Sequence, residues 1–341
     1  MTDRQKNETQ TGDSTGTTAE LYDEVHYPPV ENGLDYMVSV VEHLRGDKVD
    51  RRSLKYAVVH LQAAAECLLK YRLEQEHWSL VFKNPGEAKR SELDDGTLSS
   101  CTVEQTLTRL TDIAGIDISD KEKTRLKQLA KLRNQLQHYG RPHDAKVNRY
   151  VIEANAAEVL EFLVHFVDKE VLPNAAPPDG EVAESLRLIR EGLDAIRGYV
   201  TARMRRLAPE LEPVKPRTVK CPDCGQFALV LGDGTRCRYC HHRQEPDDAA
   251  FAYAGTVLST GRDWAVNGGP SPVRWCRKCD TRALVIDAVT AADPADPDAE
   301  ILICFNCGEQ SSEIDECGYC GALFPPSPGQ DSCDVCMGGG K

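Results

Sequence analysis

The stretch SDKEKTRLKQLAKLRNQLQHYG, residues 119–140, carries the signals of a complete helix. Ser119 and Glu122 form a capping box: the serine hydroxyl accepts from the N–H of Glu122, whose carboxylate reaches back to the N–H of Ser119. Leu126, Leu129, Leu132 and Leu136 then recur at three and four residues, giving one apolar stripe with charged faces beside it. Gly140 suits a left-handed residue just past the helix end, and Pro142 prevents continuation. Such a stripe has to be buried against other helices, and the flanking sequence supplies them.

Upstream, ENGLDYMVSVVEHLRG places Leu34, Met37, Val38, Val41 and Leu44 on one face after a Tyr27-Pro28-Pro29 entry. DRRSLKYAVVHLQAAAECLLKYRLEQEHWSLVF repeats the pattern with Leu54, Val58, Leu61, Ala65, Leu68, Leu69 and Leu73, until Asn84-Pro85-Gly86 breaks it. A polar loop and a short helix over 102–114 follow. Asp144 is read as the cap of a long helix ending near residue 172. PNAAPPDG (173–180) is a linker or sharp corner, a single helix is predicted over 181–207, and PELEPVKPRT reads as an extended connector. These spans make 29–172 an all-α bundle, 173–219 a helix and Pro-rich linker, and 1–28 a disordered tail.

Composition bounds the function classes. The chain has 341 residues, enough for more than one domain, and 54 acidic against 41 basic side chains, a net charge of -13. That excludes a general polyanion coat while leaving room for a local basic site. No apolar run reaches the roughly 20 residues of a membrane span, and the start has no signal-peptide centre. A cytoplasmic protein without membrane partners is expected.

Of 14 cysteines, Cys67 and Cys101 stand alone. The others form CxxC pairs: Cys221/Cys224, Cys237/Cys240, Cys276/Cys279, Cys304/Cys307, Cys317/Cys320 and Cys333/Cys336. Without a secretion signal such pairs read as metal ligands; redox dithiols would open a helix in a βαβ unit, which the pattern lacks. Two CxxC turns joined by a hairpin close a tetrahedral four-thiolate zinc site. Sequential pairing predicts three structural zinc ribbons or knuckles, at 220–245, 273–310 and 314–341, with 246–272 as linker. Cys304/Cys307 can instead join Cys317/Cys320. His241 and His242 can substitute in the first site, although its four cysteines suffice. With every ligand position filled, no catalytic metal is expected.

Residues 216–341 hold 11 basic and 18 acidic side chains, which favours protein over nucleic-acid partners for this half. The first ribbon is the exception. Lys220, Arg236, Arg238 and Arg243 make it locally basic, with Phe227 and Tyr239 as stacking candidates.

Arg133 and His138 lie about 140° apart around an ideal helix, whereas Asn134 and His138 share a face. The R-N-x3-H pattern near the end of a late helix, after an earlier helix such as AECLLKYRLEQEHWSLVF (65–82), resembles the HEPN domain family over about residues 30–172. The resemblance implies an α-helical bundle that dimerises and cleaves RNA without a metal through an R-x4-6-H motif. It assigns Arg133 as the motif arginine, Asn134 as the polar residue after it, and His138 as the motif histidine. Family toxins that accept nucleotidyl groups carry Tyr two residues after the His; here Tyr139 is adjacent and Gly140 takes that place, so that mode of control is not implied. The chemistry suits the residues. Imidazole titrates near neutrality and can transfer the protons of 2′-OH attack, and a guanidinium can hold two phosphate oxygens.

The fold expected is therefore α with small β: an all-α HEPN-like bundle followed by three four-cysteine modules. The function expected is a metal-independent endoribonuclease, defence- or toxin-like, acting as a homodimer on RNA. A noncatalytic dimeric adaptor whose ribbons dock protein or RNA is the competing class, since members without nuclease activity exist. Glu66 and Lys70 read as a site-supporting pair or a solvated i,i+4 ion pair. His43, His60 and His77 read as boundary residues, and Trp78, Leu80, Val81 and Phe82 as core or dimer contact. ARMRR (202–206) reads as a helix-end charge cluster.

Overall fold

The computed structural model describes residues 27–46, 48–144, 146–175, 180–232, 234–258, 271–276, 278–294, 301–311, 315–319, 323–324 and 336. The tail over 1–26 lies outside them.

Helices α1 (Pro29–Leu44) and α2 (Arg51–Glu76) pack along one another, followed by the short α3 (Arg90–Asp94), then α4 (Val103–Asp112), α5 (Asp120–Tyr139) and α6 (Arg149–Phe166). Helix α2 is central, touching α1, α4, α5 and α6. Its length of buried Leu54, Val58, Leu61, Ala65, Leu68, Leu69 and Leu73 explains why; burying each such leucine is worth roughly 1.5–3 kcal/mol. The capping box read at the start of α5 forms, Ser119 and Glu122 closing on each other, and a second one, not read from the sequence, opens α4 with Thr102 and Gln105. Gly140 takes φ 68°, the left-handed cap that its position required.

Three spans differ from the sequence reading. Helix α6 starts at Arg149 and is capped by Asn148, whose side chain accepts from Val151 N at 3.1 Å; Asp144 instead closes a turn, accepting from Lys146 N. The single helix expected over 181–207 is two, α7 (Gly180–Leu193) and α8 (Arg197–Leu211), broken at Asp194-Ala195-Ile196. The break lets α7 lie against α1 and α8 against α6, which one straight rod cannot do. Both approaches are tight. A Cβ on Gly192 would overlap the Val41 side chain, and one on Gly198 would sit 2.7 Å from the Ala157 Cβ. The span read as a linker thus packs into the bundle. PELEPVKPRT is the end of α8 and a 3-10 turn, Glu212–Arg217, rather than extended chain; proline φ fits a helical first turn.

The cysteine-rich half is small and antiparallel. Strands β1 (Thr218–Lys220), β2 (Phe227–Val230) and β3 (Arg236–Cys237) form one sheet in that order. Strands β4 (Val273–Cys276), β5 (Thr281–Val285), β6 (Leu302–Cys304) and β7 (Gln310–Ser311) form a second, and β8 (Asp315–Glu316) pairs with β9 (Leu323–Phe324). Part of the expected 246–272 linker is a helix, α9 (Pro246–Thr256), packed on β4 and β5. Its alternation of alanine and aromatic residues hid a buried face: Tyr253 is fully buried, its ring 5.3 Å from Phe305, and its hydroxyl donates to Val289 O while accepting from Val289 N. The two sheets are joined by a Val219–Thr290 bridge and by Ala291 N donating to Thr218 O at 2.7 Å. The first two modules are therefore one unit, whose core runs on into the helical core. No helix among the described residues is long and apolar enough to cross a membrane.

Candidate functional site

Each CxxC turn of the first two modules is set by the strand that delivers it. Strands β1 and β3 lead into Cys221 and Cys237, and β4 and β6 end on Cys276 and Cys304. Immediately after the second cysteine of every such turn comes a residue in the left-handed region: Gly225 (φ 71°), His241 (φ 62°), Asp280 (φ 51°) and Gly308 (φ 69°). This reversal folds the turn back so that the N–H of Gly225, His241 and Gly308 donates to the carbonyl of the first cysteine, at 2.9–3.0 Å. The paired sulfurs then face one way.

The result is two groups of four thiols, Cys221/Cys224/Cys237/Cys240 and Cys276/Cys279/Cys304/Cys307, with all sulfurs of each group within 4.8 Å of one another. Cys304/Cys307 therefore sits with Cys276/Cys279. Sulfur separations are 3.9 Å for Cys221–Cys240, 3.7 Å for Cys224–Cys237 and Cys276–Cys307, and 3.6 Å for Cys279–Cys304. These are far too long for disulfides, and none of these eight cysteines is bonded to another. A tetrahedral ion with metal–sulfur bonds of roughly 2.3 Å spaces its ligands by about 3.8 Å, so both groups can hold such an ion. Burial works against a thiolate at Cys279, yet hydrogen bonds from Thr281, Asn306 and the neighbouring thiols hold its pKa down at about 6. Within each group the thiols share their protons unevenly: Cys221 and Cys240 are drawn down while Cys224 and Cys237 are pushed up, and Cys276 and Cys304 are pushed up beside Cys279. Anionic sulfur is the form a metal takes. In the third module Cys317 is buried and Cys336 half-buried, while Cys320 and Cys333 lie outside the described residues.

His241 and His242 are not ligands of the first group. His242 Nδ1 lies 3.3 Å from the Asp223 carboxylate, and His241 lies between Arg203 and Arg236. Tyr239 is not a stacking platform: it is buried edge-on against Tyr199 of α8, centroids 6.4 Å apart.

The other predicted site stands on the last turns of α5. Asn134 and His138 are exposed on one face, as their spacing required, and Arg133 is half-buried beside them. The guanidinium is held: Nη1 donates to Asn134 Oδ1 at 2.9 Å and Nη2 lies 3.6 Å from the Glu66 carboxylate on α2. Glu66 also accepts from Gln62, whereas Lys70 donates to Ser100, so Glu66 supports the arginine. Tyr139 is exposed, 6.4 Å from the His138 ring and 4.8 Å from that of His143. His60 accepts or donates at Ser39 Oγ and clusters with His43, Tyr36 and Tyr56 on the α1–α2 surface, away from these groups in sequence. Val81 and Phe82 are core, with Trp78 edge-on to Phe82.

Sequence reasoning missed the role of ARMRR. Arg203 is buried, and Arg206 bridges Glu161 on α6 at 2.7 Å and Glu122 of the α5 capping box at 2.7 Å, so the run ties three helices together. Its partners are 45 and 84 residues away, which no local pattern reveals. The chain is thus a helical bundle bearing a tandem four-cysteine unit. Comparison with known protein families, with curated proteins and with solved structures gave no match.

Proposed function

We propose that the protein is a metal-independent endoribonuclease of HEPN type, with Arg133, Asn134 and His138 as its catalytic residues and structural zinc in its cysteine modules. The observation that supports this reading is the clustering at the end of α5: Asn134 and His138 exposed on one face, with an arginine beside them oriented by Asn134 and Glu66. A second copy facing this helix end supplies the symmetric partner groups. In the reaction the ribose 2′-oxygen attacks the neighbouring phosphorus, forming the 2′,3′-cyclic phosphate as the bond to the 5′-oxygen breaks. The 2′-OH proton passes to a base, and His138 in its imidazolium form protonates the leaving oxygen. Arg133 neutralises the crowded phosphorane. DNA, without the 2′-OH, is inert.

The sulfur spacing supports zinc, and one ion per module predicts three per chain, the third resting on the sequence of residues 314–341 alone. Exposed Trp275 and Tyr319 on the cysteine-rich half favour a second reading, a noncatalytic adaptor that docks a protein partner there. Cleavage of a single-stranded RNA by the zinc-loaded chain without free metal separates the two. The nuclease reading expects 2′,3′-cyclic phosphate ends, lowered at least about 100-fold in His138→Ala and in Arg133→Ala at unchanged zinc content. Equal product from all three proteins, or none from any, leaves the adaptor.

A further inference from the structure

A cleft of about 900 Å³ separates α6, α7 and α8 from the first cysteine module. Lys169, Arg190, Arg203, Arg206, Arg236 and Arg238 line it, against Asp168, Asp194 and Glu210. Some of this charge is internally matched: Arg190 lies 3.3 Å from Asp168, Arg238 lies 3.3 Å from Glu210, and Arg206 is committed to Glu161 and Glu122. One corner is not. Arg236 is exposed and forms no ion pair among the described residues. Arg203, only 7% exposed, shares Glu161 with Arg206 at 3.5 Å, and its Nε is buried without a hydrogen-bond partner.

Between these two arginines stands His241. Arg203 Nη2 is 3.1 Å from its Nε2 and Arg236 Nη2 is 3.4 Å from its Nδ1. A neutral imidazole has one acceptor nitrogen and one N–H, so at least one of these contacts sets donor against donor. Three groups thus bring more donors to this corner than the protein has acceptors for. A group rich in acceptors, carrying negative charge and small enough to sit between them, relieves the mismatch.

We propose that this corner binds the phosphate of a phosphate ester of about nucleotide size, with Arg203, Arg236 and His241 donating to its oxygens. Guanidinium forks match tetrahedral oxyanions, and the cleft has the volume of a small-molecule site. Val164, Leu172 and Leu193 provide an apolar wall for the organic part of the ester. The site uses neither Arg133 nor His138, so it stands or falls apart from the nuclease reading. The rival explanation is that the arginines only offset the negative charge of the four-thiolate centre, since Cys240 also borders the cleft.

Calorimetric titration of the metal-loaded full chain tests this with AMP, inorganic phosphate, and an RNA octamer with and without a 5′-phosphate. Arg236→Gln is the informative variant because its side chain is exposed and supports no core. The expected result is saturable binding of AMP or of the phosphorylated octamer, weakened at least about tenfold in Arg236→Gln, with metal content and melting unchanged. Preference for AMP identifies a free nucleotide; preference for the octamer only when it carries the 5′-phosphate identifies an RNA end. No saturable binding of any of the four overturns the proposal, as does wild-type affinity in Arg236→Gln. Joint loss of metal and binding assigns the arginines to the metal centre and overturns it equally.

Discussion

Asp280 follows Cys279 in the left-handed region, at φ 51°, with its side chain exposed. A residue with a Cβ there costs roughly 1–2 kcal/mol relative to glycine, somewhat less for Asp. Asp280→Gly is expected to raise the melting temperature of the metal-loaded protein, by about 1 kcal/mol in stability, with no change in metal content. His165 offers a second single-residue prediction. Burial, and then the charges of Arg206, Arg203 and Lys169, push its pKa from 6.5 down to about 4. Between those values the unfolded imidazole takes a proton that the folded one refuses, so the unfolded state binds more protons and stability falls as pH drops from 6.5 toward 4. His165→Gln is expected to flatten the melting profile across that window, while an unchanged slope would locate the acid sensitivity elsewhere. Signals of the first kind were legible: CxxC followed by a glycine is visible in CPDCG and CFNCG. The same turn in CRYCH and CRKCD is not, because His and Asp, though commoner there than most side chains, occupy other conformations far more often and so do not mark the left-handed position.

At the scale of elements, the stripes of α1, α2 and α5 and the capping box of α5 were readable because each signal lies within a turn or two of the residue it acts on. The break between α7 and α8 was not, since only the packing of each on a different helix demands it. Nor was the ion-pair layer joining α5, α6 and α8, where Glu161 at 3% exposure takes Arg206 at 2.7 Å and Arg203 at 3.5 Å. Removing one partner of a buried pair leaves the others uncompensated, which typically costs about 3–5 kcal/mol. Glu161→Ala is expected to lose stability of that size in denaturant unfolding. Arg205→Ala, whose guanidinium is largely exposed on Glu158, is expected to lose less than about 1 kcal/mol. Equal effects from the two would mean that the buried layer carries no special weight. Glu122 belongs to the same layer. Burial opposes its ionised form, but Arg206 and Ser119 hold its pKa below the ordinary 4.5, so its contribution is present above that value and is lost on further acidification.

For the whole molecule, the question is how far the tandem cysteine unit and the helical bundle hold each other up. The unit docks on α8 through Tyr239 against Tyr199, Arg238 toward Glu210 and His241 beside Arg203. Its own strands are only two to five residues long, too short to be stable by pairing alone. On the proposed zinc loading, metal binding supplies much of the folding free energy of the unit, on the order of 10 kcal/mol per ion, whereas the bundle has a leucine-rich core of its own around α2. Two-step behaviour follows. Stripping metal with a strong chelator at neutral pH is expected to unfold residues 218–311, seen as thiols becoming titratable, while most of the helical circular dichroism survives. The bundle should then melt several degrees lower, because Tyr199 and Arg203 lose the surface that covers them. Readdition of zinc should restore the first step at two ions per chain for the described modules, and at three if residues 314–341 also bind. Loss of helicity in the same transition as the thiols would instead make the bundle and the cysteine unit a single cooperative structure, with the α8 interface as its joint.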